Sequence, residues 1–183
     1  MNIIIRGDAF ISLVAASAEV YRNESFGMIL GHKRGKDFVV TECLPYQTAK
    51  RGYTSAYLDL KKQKLINQLL ECMSKESVIG DYHSHPGLVL ETLSDQDIID
   101  MLRKKRDYIS LLVSIRKVKR YKKWEVGKDG LSGTVGSFFI KIKAFSYDIS
   151  KKEIRQEVVK CPYVENMKQN FCRINKSILK QVF

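Results

Sequence analysis

The sequence lacks several features that mark specialised classes of protein. No apolar run approaches the roughly 20 residues that a membrane-spanning helix needs, and Arg6 and Asp8 interrupt the first apolar stretch too early for a signal peptide. Only three prolines occur among 183 residues, with no Gly/Ser-rich linker and no internal repeat. We therefore expect a soluble cytoplasmic protein with no membrane partner, built as one domain with at most a small appendage.

Cysteine is also sparse. The four copies are Cys43, Cys72, Cys161 and Cys172, and no pair has the two-residue spacing of a zinc knuckle or a redox motif. Because disulfides are rare in the cytoplasm, we expect reduced thiols that pack as small apolar side chains.

The formal net charge of +12 is unevenly distributed along the chain. Residues 1–100 hold 11 basic and 13 acidic side chains, whereas residues 101–183 hold 21 basic and 7 acidic ones. This asymmetry favours an acidic partner or substrate held by the second half. Within the basic stretch RKVKRYKK, the candidate contacts to substrate or nucleic acid are Lys119, Arg120, Lys122 and Lys123, with Tyr121 and Trp124 available to stack on bases.

Apolar periodicity and turn residues predict strands and helices that are intermixed along the chain. The first helix has an apolar stripe that includes Phe10, Leu13 and Val14, and Asp8 is its predicted cap. This mixture favours a mixed or antiparallel sheet over a doubly wound one. The predicted strands are residues 2–6, 26–33, 37–44, 77–83, 108–115, 133–148 and 153–160, and the later predicted helices are residues 55–75, 94–106 and 163–183.

Two of the three histidines stand in the tripeptide His83-Ser84-His85. In an extended strand, residues two apart project from the same face, so both imidazoles can converge on one point. Asp97 follows in the first turn of the next predicted helix. Two imidazoles and one carboxylate suit zinc, and three protein ligands leave the fourth tetrahedral position for water, as in a catalytic site.

The spacing alone leaves other interpretations open. His83 and His85 also fit ordinary loop residues, and Ser94-x-x-Asp97 resembles a capping box with Asp in place of Glu. Iron oxygenases use the same ligand types, two histidines and one carboxylate. The capping and metal roles are compatible, since a capped helix start would hold Asp97 rigidly beside the strand end.

The stretch VIGDYHSHPG, followed by Ser94-x-x-Asp97, resembles the signature of the JAB/MPN (JAMM) metalloprotease domain. The family pattern is His-x-His-Pro, a short loop and Ser-x-x-Asp, with a glutamate far upstream beside a GLLLG-like strand. Residues 24–31, ESFGMILG, are similar to that upstream segment. The loop from Pro86 to Leu93 has eight residues where the family usually has seven, and it is unusually apolar.

The resemblance covers residues 1–148, which we expect to form the catalytic domain, with a strand and a helix in 149–183 packed on it. It implies an α/β fold with a curved mixed β-sheet surrounded by helices, the cytidine-deaminase-like JAMM/MPN architecture. By position in the motif, His83, His85 and Asp97 would bind one Zn²⁺. Glu24 would act as general base and then general acid, and Ser94 would donate a hydrogen bond to the oxyanion.

The resemblance also implies a zinc-dependent peptidase or isopeptidase that acts at the C-terminus of a ubiquitin-like modifier or its conjugates. In a compact prokaryotic or archaeal member, the modifier would resemble a sulfur-carrier protein. Two alternatives remain. One is a basic nucleic-acid-binding protein, because a distant relative is associated with DNA repair; the other is a non-catalytic MPN scaffold, which would have lost ligands that are all present here.

Overall fold

Strands outnumber helices in the computed structural model of the protein, which describes residues 1–47, 50–51, 56–57, 60–87 and 91–167. The strands are β1 (Asn2–Ile5), β2 (Phe26–Arg34), β3 (Asp37–Pro45), β4 (Lys50–Arg51), β5 (Ala56–Tyr57), β6 (Ser77–Pro86), β7 (Tyr108–Lys117), β8 (Glu125–Gly127), β9 (Gly130–Val135), β10 (Phe138–Asp148) and β11 (Glu153–Lys160). The helices are α1 (Gly7–Glu19), α2 (Leu60–Met73), α3 (Asp95–Leu102) and α4 (Pro162–Glu165). Within these ranges, no helix combines the length and apolar character needed to cross a membrane.

Nine of these strands form one mixed sheet in the order β11-β1-β3-β2-β6-β7-β10-β9-β8. Strand β11 pairs in parallel with β1 and antiparallel with β10, so the sheet closes on itself. Strands β4 and β5 form a separate two-stranded sheet. The predicted α/β fold with a curved mixed sheet is confirmed, and the closure through β11 places residues 153–160 in the same sheet as the strands before them.

The apolar core lies on both faces of the sheet. Helix α1 buries Phe10, Leu13 and Val14 against one face, as its periodicity predicts. The other face has a cluster that includes Met101 of α3 and Leu112 of β7. A further cluster centres on β2 and is packed by partly buried side chains of α2. The second face therefore keeps α2 and α3 beside the ends of β2, β6 and β7, where the candidate site lies.

Several predicted boundaries at helix starts and turns are wrong. Arg6, rather than Asp8, occupies the N-cap position of α1, and Asp8 lies in the first turn, where a carboxylate complements the helix dipole. The predicted helix over 55–75 begins only at Leu60, and residues 56–57 form β5 instead. The predicted strand over 133–148 is divided by a turn at Gly136, whose φ of +56° is readily adopted only by glycine.

The predicted elements near the site differ mainly in length. The strand predicted over 77–83 continues to Pro86, and the strand predicted over 108–115 continues to Lys117. The helix predicted over 94–106 ends at Leu102, with Ser94 as its N-cap. Of the helix predicted over 163–183, the structure shows one turn, Pro162–Glu165, and residues 168–183 lie outside the described residues.

Candidate metal centre

Two hydrogen bonds join the strand that carries the histidines to the segment that carries Glu24. The Ser25 amide donates to Ser84 Oγ at 2.8 Å, and the Ser84 amide donates to the Ser25 carbonyl at 2.8 Å. The antiparallel register sets Phe26 opposite His83. Continued past Ser25, the same register sets Glu24 opposite His85, with both side chains on one face of the sheet.

Close packing at Gly27 holds β2 and β6 at this spacing. A Cβ at Gly27 would lie 2.3 Å from the ring of Tyr82 and 2.3 Å from the carbonyl oxygen of Leu44. Glycine is therefore the residue that lets the buried Tyr82 ring pack against β2 from the face opposite to His83. The glycine three residues after Glu24 is therefore required by the packing of the two strands that form the site.

Alternation along β6 brings the two candidate histidine ligands together. The ring centroids of His83 and His85 are 5.0 Å apart. His83 is only 5% exposed, whereas His85 is partly exposed. The ring of Phe26 stacks against His83 with centroids 6.3 Å apart, which restricts how the buried imidazole can turn.

Asp97 is fixed at the start of α3 by a capping box. The Asp97 amide donates to Ser94 Oγ at 3.3 Å. In return, the Ser94 amide and hydroxyl both donate to Asp97 Oδ2, at 2.8 and 2.6 Å. The capping interpretation is therefore confirmed, and the same contacts aim the Asp97 carboxylate at the end of β6. The Ser94 hydroxyl donates its hydrogen bond to Asp97 in this cap. It would have to rotate towards the substrate to donate to an oxyanion.

The donor set fits a metal ion. The ligand atoms of His83, His85 and Asp97 all lie within 4.8 Å of one another. His83 Nε2 is buried and makes no hydrogen bond to any described residue, although Asp97 Oδ2 approaches it to 3.4 Å. A buried nitrogen without a well-formed hydrogen bond is costly, and a cation bound by the three side chains would satisfy it. Imidazole and carboxylate ligands of this kind suit a JAMM-type metal site.

Burial and neighbouring charges shift the protonation of the site. Burial raises the pKa of the Glu24 carboxyl, the charge of His83 opposes this change, and the charge of Asp97 adds to it. Burial also disfavours the charged form of Asp97, but contacts with His83 and Ser94 outweigh it and hold the Asp97 pKa well below its usual range. Asp97 is therefore ionised at neutral pH, as a metal ligand must be.

A buried polar cluster beside the histidines was missed by sequence reasoning. Asp81 lies two residues before His83 on β6, hence on the same face. Its carboxylate accepts hydrogen bonds from the Tyr108 hydroxyl at 2.9 Å and from Ser110 Oγ at 2.8 Å. The alternation of β6 was the signal that could have found Asp81, whereas its partners on β7 could be found only from the fold.

The predicted basic contact residues follow β7 on the surface. Lys122 pairs with Glu125 at 2.7 Å. Trp124, predicted to stack on bases, is 3% exposed and packs edge-on against Phe10 with centroids 4.8 Å apart, so this prediction is wrong. Residues 88–90 of the apolar loop lie outside the described residues. All four predicted contact residues are exposed: Lys119, Arg120, Lys122 and Lys123.

Fold and site together define an α/β domain with a candidate metal centre at the ends of β6 and α3. Residues 8–126 match the model of a family described as prokaryotic homologs of the JAB domain, and the chain belongs to this family. The JAB/MPN resemblance is thereby confirmed, and a metallohydrolase role is consistent with it.

Comparison with the curated proteins gave no match. Among solved structures, the solution structure of a protein from Desulfitobacterium hafniense is 16% identical, with a TM-score of 0.59 over 87% of this chain and 92% of that chain. At this identity, the likeness shows the shared fold alone.

Proposed function

We propose that the protein is a zinc-dependent peptidase or isopeptidase of the cytoplasm that hydrolyses the bond at the C-terminus of a ubiquitin-like modifier. The observation that carries this proposal is the placement of Glu24. The Glu24 carboxylate, two residues before β2, shares one face of the sheet with the His83, His85 and Asp97 group. A purely structural metal site needs four protein ligands and no neighbouring base, whereas a catalytic one keeps a position open.

In this mechanism, Zn²⁺ would be held by His83, His85 and Asp97. The bound ion would polarise the scissile carbonyl and lower the pKa of the attacking water. Glu24 accepts the proton of that water and then passes it to the leaving amine. The raised pKa of the Glu24 carboxyl supports both steps, because a group that takes up and returns a proton works best when its pKa is near the working pH.

Ser94 has the second catalytic role in the proposal. Its hydroxyl lies at the N-cap of α3, next to the Asp97 ligand, and would donate to the oxyanion that forms on the scissile carbonyl. The backbone of α3 adds a favourable field there, because a helix N-terminus attracts negative charge.

Family membership and surface charge support the choice of substrate. The strong positive charge of residues 101–183 would attract an acidic modifier, and an extended C-terminal tail can add to a strand edge as it enters a cleft. We therefore infer a small sulfur-carrier-like modifier with a ubiquitin fold as the partner. A scaffolding role is less well supported, because every residue of the family motif is present and the ligand set converges. A role in nucleic-acid binding is also less well supported, because the buried Trp124 cannot stack on bases.

The test is zinc content measured together with cleavage of a fusion between such a modifier and a short C-terminal peptide. We expect one zinc per chain and cleavage that stops on addition of a chelator and returns on addition of zinc. A panel of fusions that remains intact with zinc-loaded protein would contradict the peptidase proposal while leaving the metal centre in place.

A further inference from the structure

Two lysines share the face of the sheet that carries the candidate metal ligands. Ser110 Oγ contacts the Asp81 carboxylate, which shows that Asp81, and with it His83 and His85, lies on the same face as Ser110. Strand β6 pairs with β7 so that His85 faces Ser114, and β7 pairs with β10 so that Ser114 faces Lys141. Side chains in register across neighbouring strands lie on one face.

The adjacent row of the sheet repeats this arrangement. His83 pairs with Leu112, and Leu112 pairs with Lys143. Two strand spacings of about 4.8 Å separate each histidine from its lysine, or about 10 Å across the sheet. Ser114, small and partly exposed, lies between His85 and Lys141, so no large side chain separates them in this row.

Both lysines hold one carboxylate of this chain. Lys141 Nζ lies 2.5 Å from Glu91 Oε2, and Lys143 Nζ lies 3.5 Å from the same oxygen. The lysine side chains are only 21% and 12% exposed, whereas that of Glu91 is 48% exposed. Glu91 lies between β6 and α3, in the segment that leads from the histidines to Asp97.

The charge of this cluster is not balanced by Glu91. Two ammonium groups on mostly covered side chains, two residues apart on β10, repel each other, and one carboxylate neutralises only one of them. The longer contact to Lys143 leaves that ammonium group able to accept a second carboxylate. Further along the same face, the Arg116 guanidinium lies over the Phe139 ring at 4.9 Å from its centroid, which extends the positive field.

We propose that Lys141 and Lys143 form a carboxylate-binding subsite for an acidic side chain of the polypeptide substrate, and that Glu91 fills this subsite when substrate is absent. An extended chain advances about 3.3 Å per residue, so the acidic side chain lies about three residues from the bond held at the metal centre. The lowered pKa of Glu91, which the hydrogen bond from Lys141 causes first of all, agrees with a site that prefers a carboxylate. This inference rests on the proposed function, because it defines the substrate of the same site.

The test is binding of two fluorescein-labelled peptides of eight residues that differ only at two central positions, Glu-Glu in one and Gln-Gln in the other. The protein is the zinc-loaded full chain with Glu24→Gln, so that the peptides survive. Lys141→Gln/Lys143→Gln should weaken binding of the acidic peptide about tenfold and should leave binding of the neutral peptide unchanged. The expected loss lies between that of an exposed ion pair and that of a buried charged hydrogen bond.

Two further variants separate a subsite from general attraction by positive charge. Lys36→Gln/Lys128→Gln also removes two positive charges, from the exposed turns between β2 and β3 and between β8 and β9, and should change binding of the acidic peptide less than twofold. Glu91→Gln removes the internal competitor and should strengthen binding. Equal losses in the two double variants, no loss in either, or weaker binding by Glu91→Gln would overturn the proposal.

A single-stranded oligothymidine of eight nucleotides distinguishes carboxylate from phosphate. If it binds more tightly than the acidic peptide, and if that binding depends on Lys141 and Lys143, the subsite takes a nucleic-acid phosphate and the proposal is wrong. Binding is measured without turnover, so failure of the proposed function would appear separately, as absence of cleavage by the wild-type chain.

Discussion

Replacing Glu24 with glutamine keeps the size of the side chain and most of its hydrogen bonding but removes its ability to accept a proton. Burial already disfavours the charged form of this carboxyl, so a neutral amide should change the free energy of unfolding by about 1 kcal/mol or less. Glu24 is not proposed as a ligand, and zinc content should stay near one per chain. We expect kcat to fall by about 10² to 10⁴, the usual contribution of a positioned base, or roughly 3 to 5 kcal/mol of transition-state free energy.

The assay is steady-state cleavage of a modifier–peptide fusion, with zinc content and thermal unfolding measured on the same preparation. The loss should appear in kcat more than in KM, because the proton transfer belongs to the transition state. Glu19→Gln is the matched control: it removes the same charge from an exposed position at the end of α1 and should leave turnover unchanged. Wild-type turnover by zinc-loaded Glu24→Gln would refute the assigned mechanism.

Three other measurements test the site and the core. His85→Ala should abolish stoichiometric zinc while circular dichroism stays near wild type, and full zinc occupancy in this variant would remove His85 from the ligand set. Ser94→Ala should lower the free energy of unfolding by about 1 kcal/mol through loss of the helix cap and turnover by roughly 10² to 10³ through loss of the oxyanion donor; a change in stability alone would make Ser94 only a cap. Burial raises the pKa of the Cys43 thiol to about 12 from 9.0, so its contribution to stability should be complete below pH 9 and lost progressively as the pH rises towards 12. In the folded protein at pH 8, a thiol reagent should therefore label the exposed Cys72 and spare Cys43, and fast labelling of Cys43 would show that the core is open there.

The metal ligands could be predicted because they depend on local geometry. The period of two in a strand puts His83 and His85 on one face wherever the strand lies, and Ser94-x-x-Asp97 predicts its own capping box from spacing alone. Both predictions are independent of the exact element boundaries. The strand is three residues longer than predicted, which leaves His83 and His85 on one face, and the helix starts at the predicted cap.

The position of Glu24 could not be derived in this way. Its placement depends on the pairing between Ser25 and Ser84, which are 59 residues apart, and no periodicity encodes such a register. Only the resemblance to a family pointed to Glu24. The closure of the sheet through β11 and the partners of Asp81 on β7 are equally non-local, because each depends on which strands become neighbours.

The residues at the start of α3 form a helix cap and also have proposed roles in the reaction. The contacts of one Asp97 oxygen explain how these two functions are compatible. Asp97 Oδ2 accepts hydrogen bonds from the Ser94 amide and the Ser94 hydroxyl, and it also contacts His83 Nε2. The hydrogen bond from the Ser94 amide involves the backbone, so it persists as long as the helix does. The Ser94 hydroxyl is on a side chain and can rotate. If a cation takes electron density from Asp97, the hydroxyl contact weakens first, and its proton becomes available to a developing oxyanion. The capping box would then hold the ligand in place through its backbone bonds while releasing the side-chain donor that the proposed reaction needs.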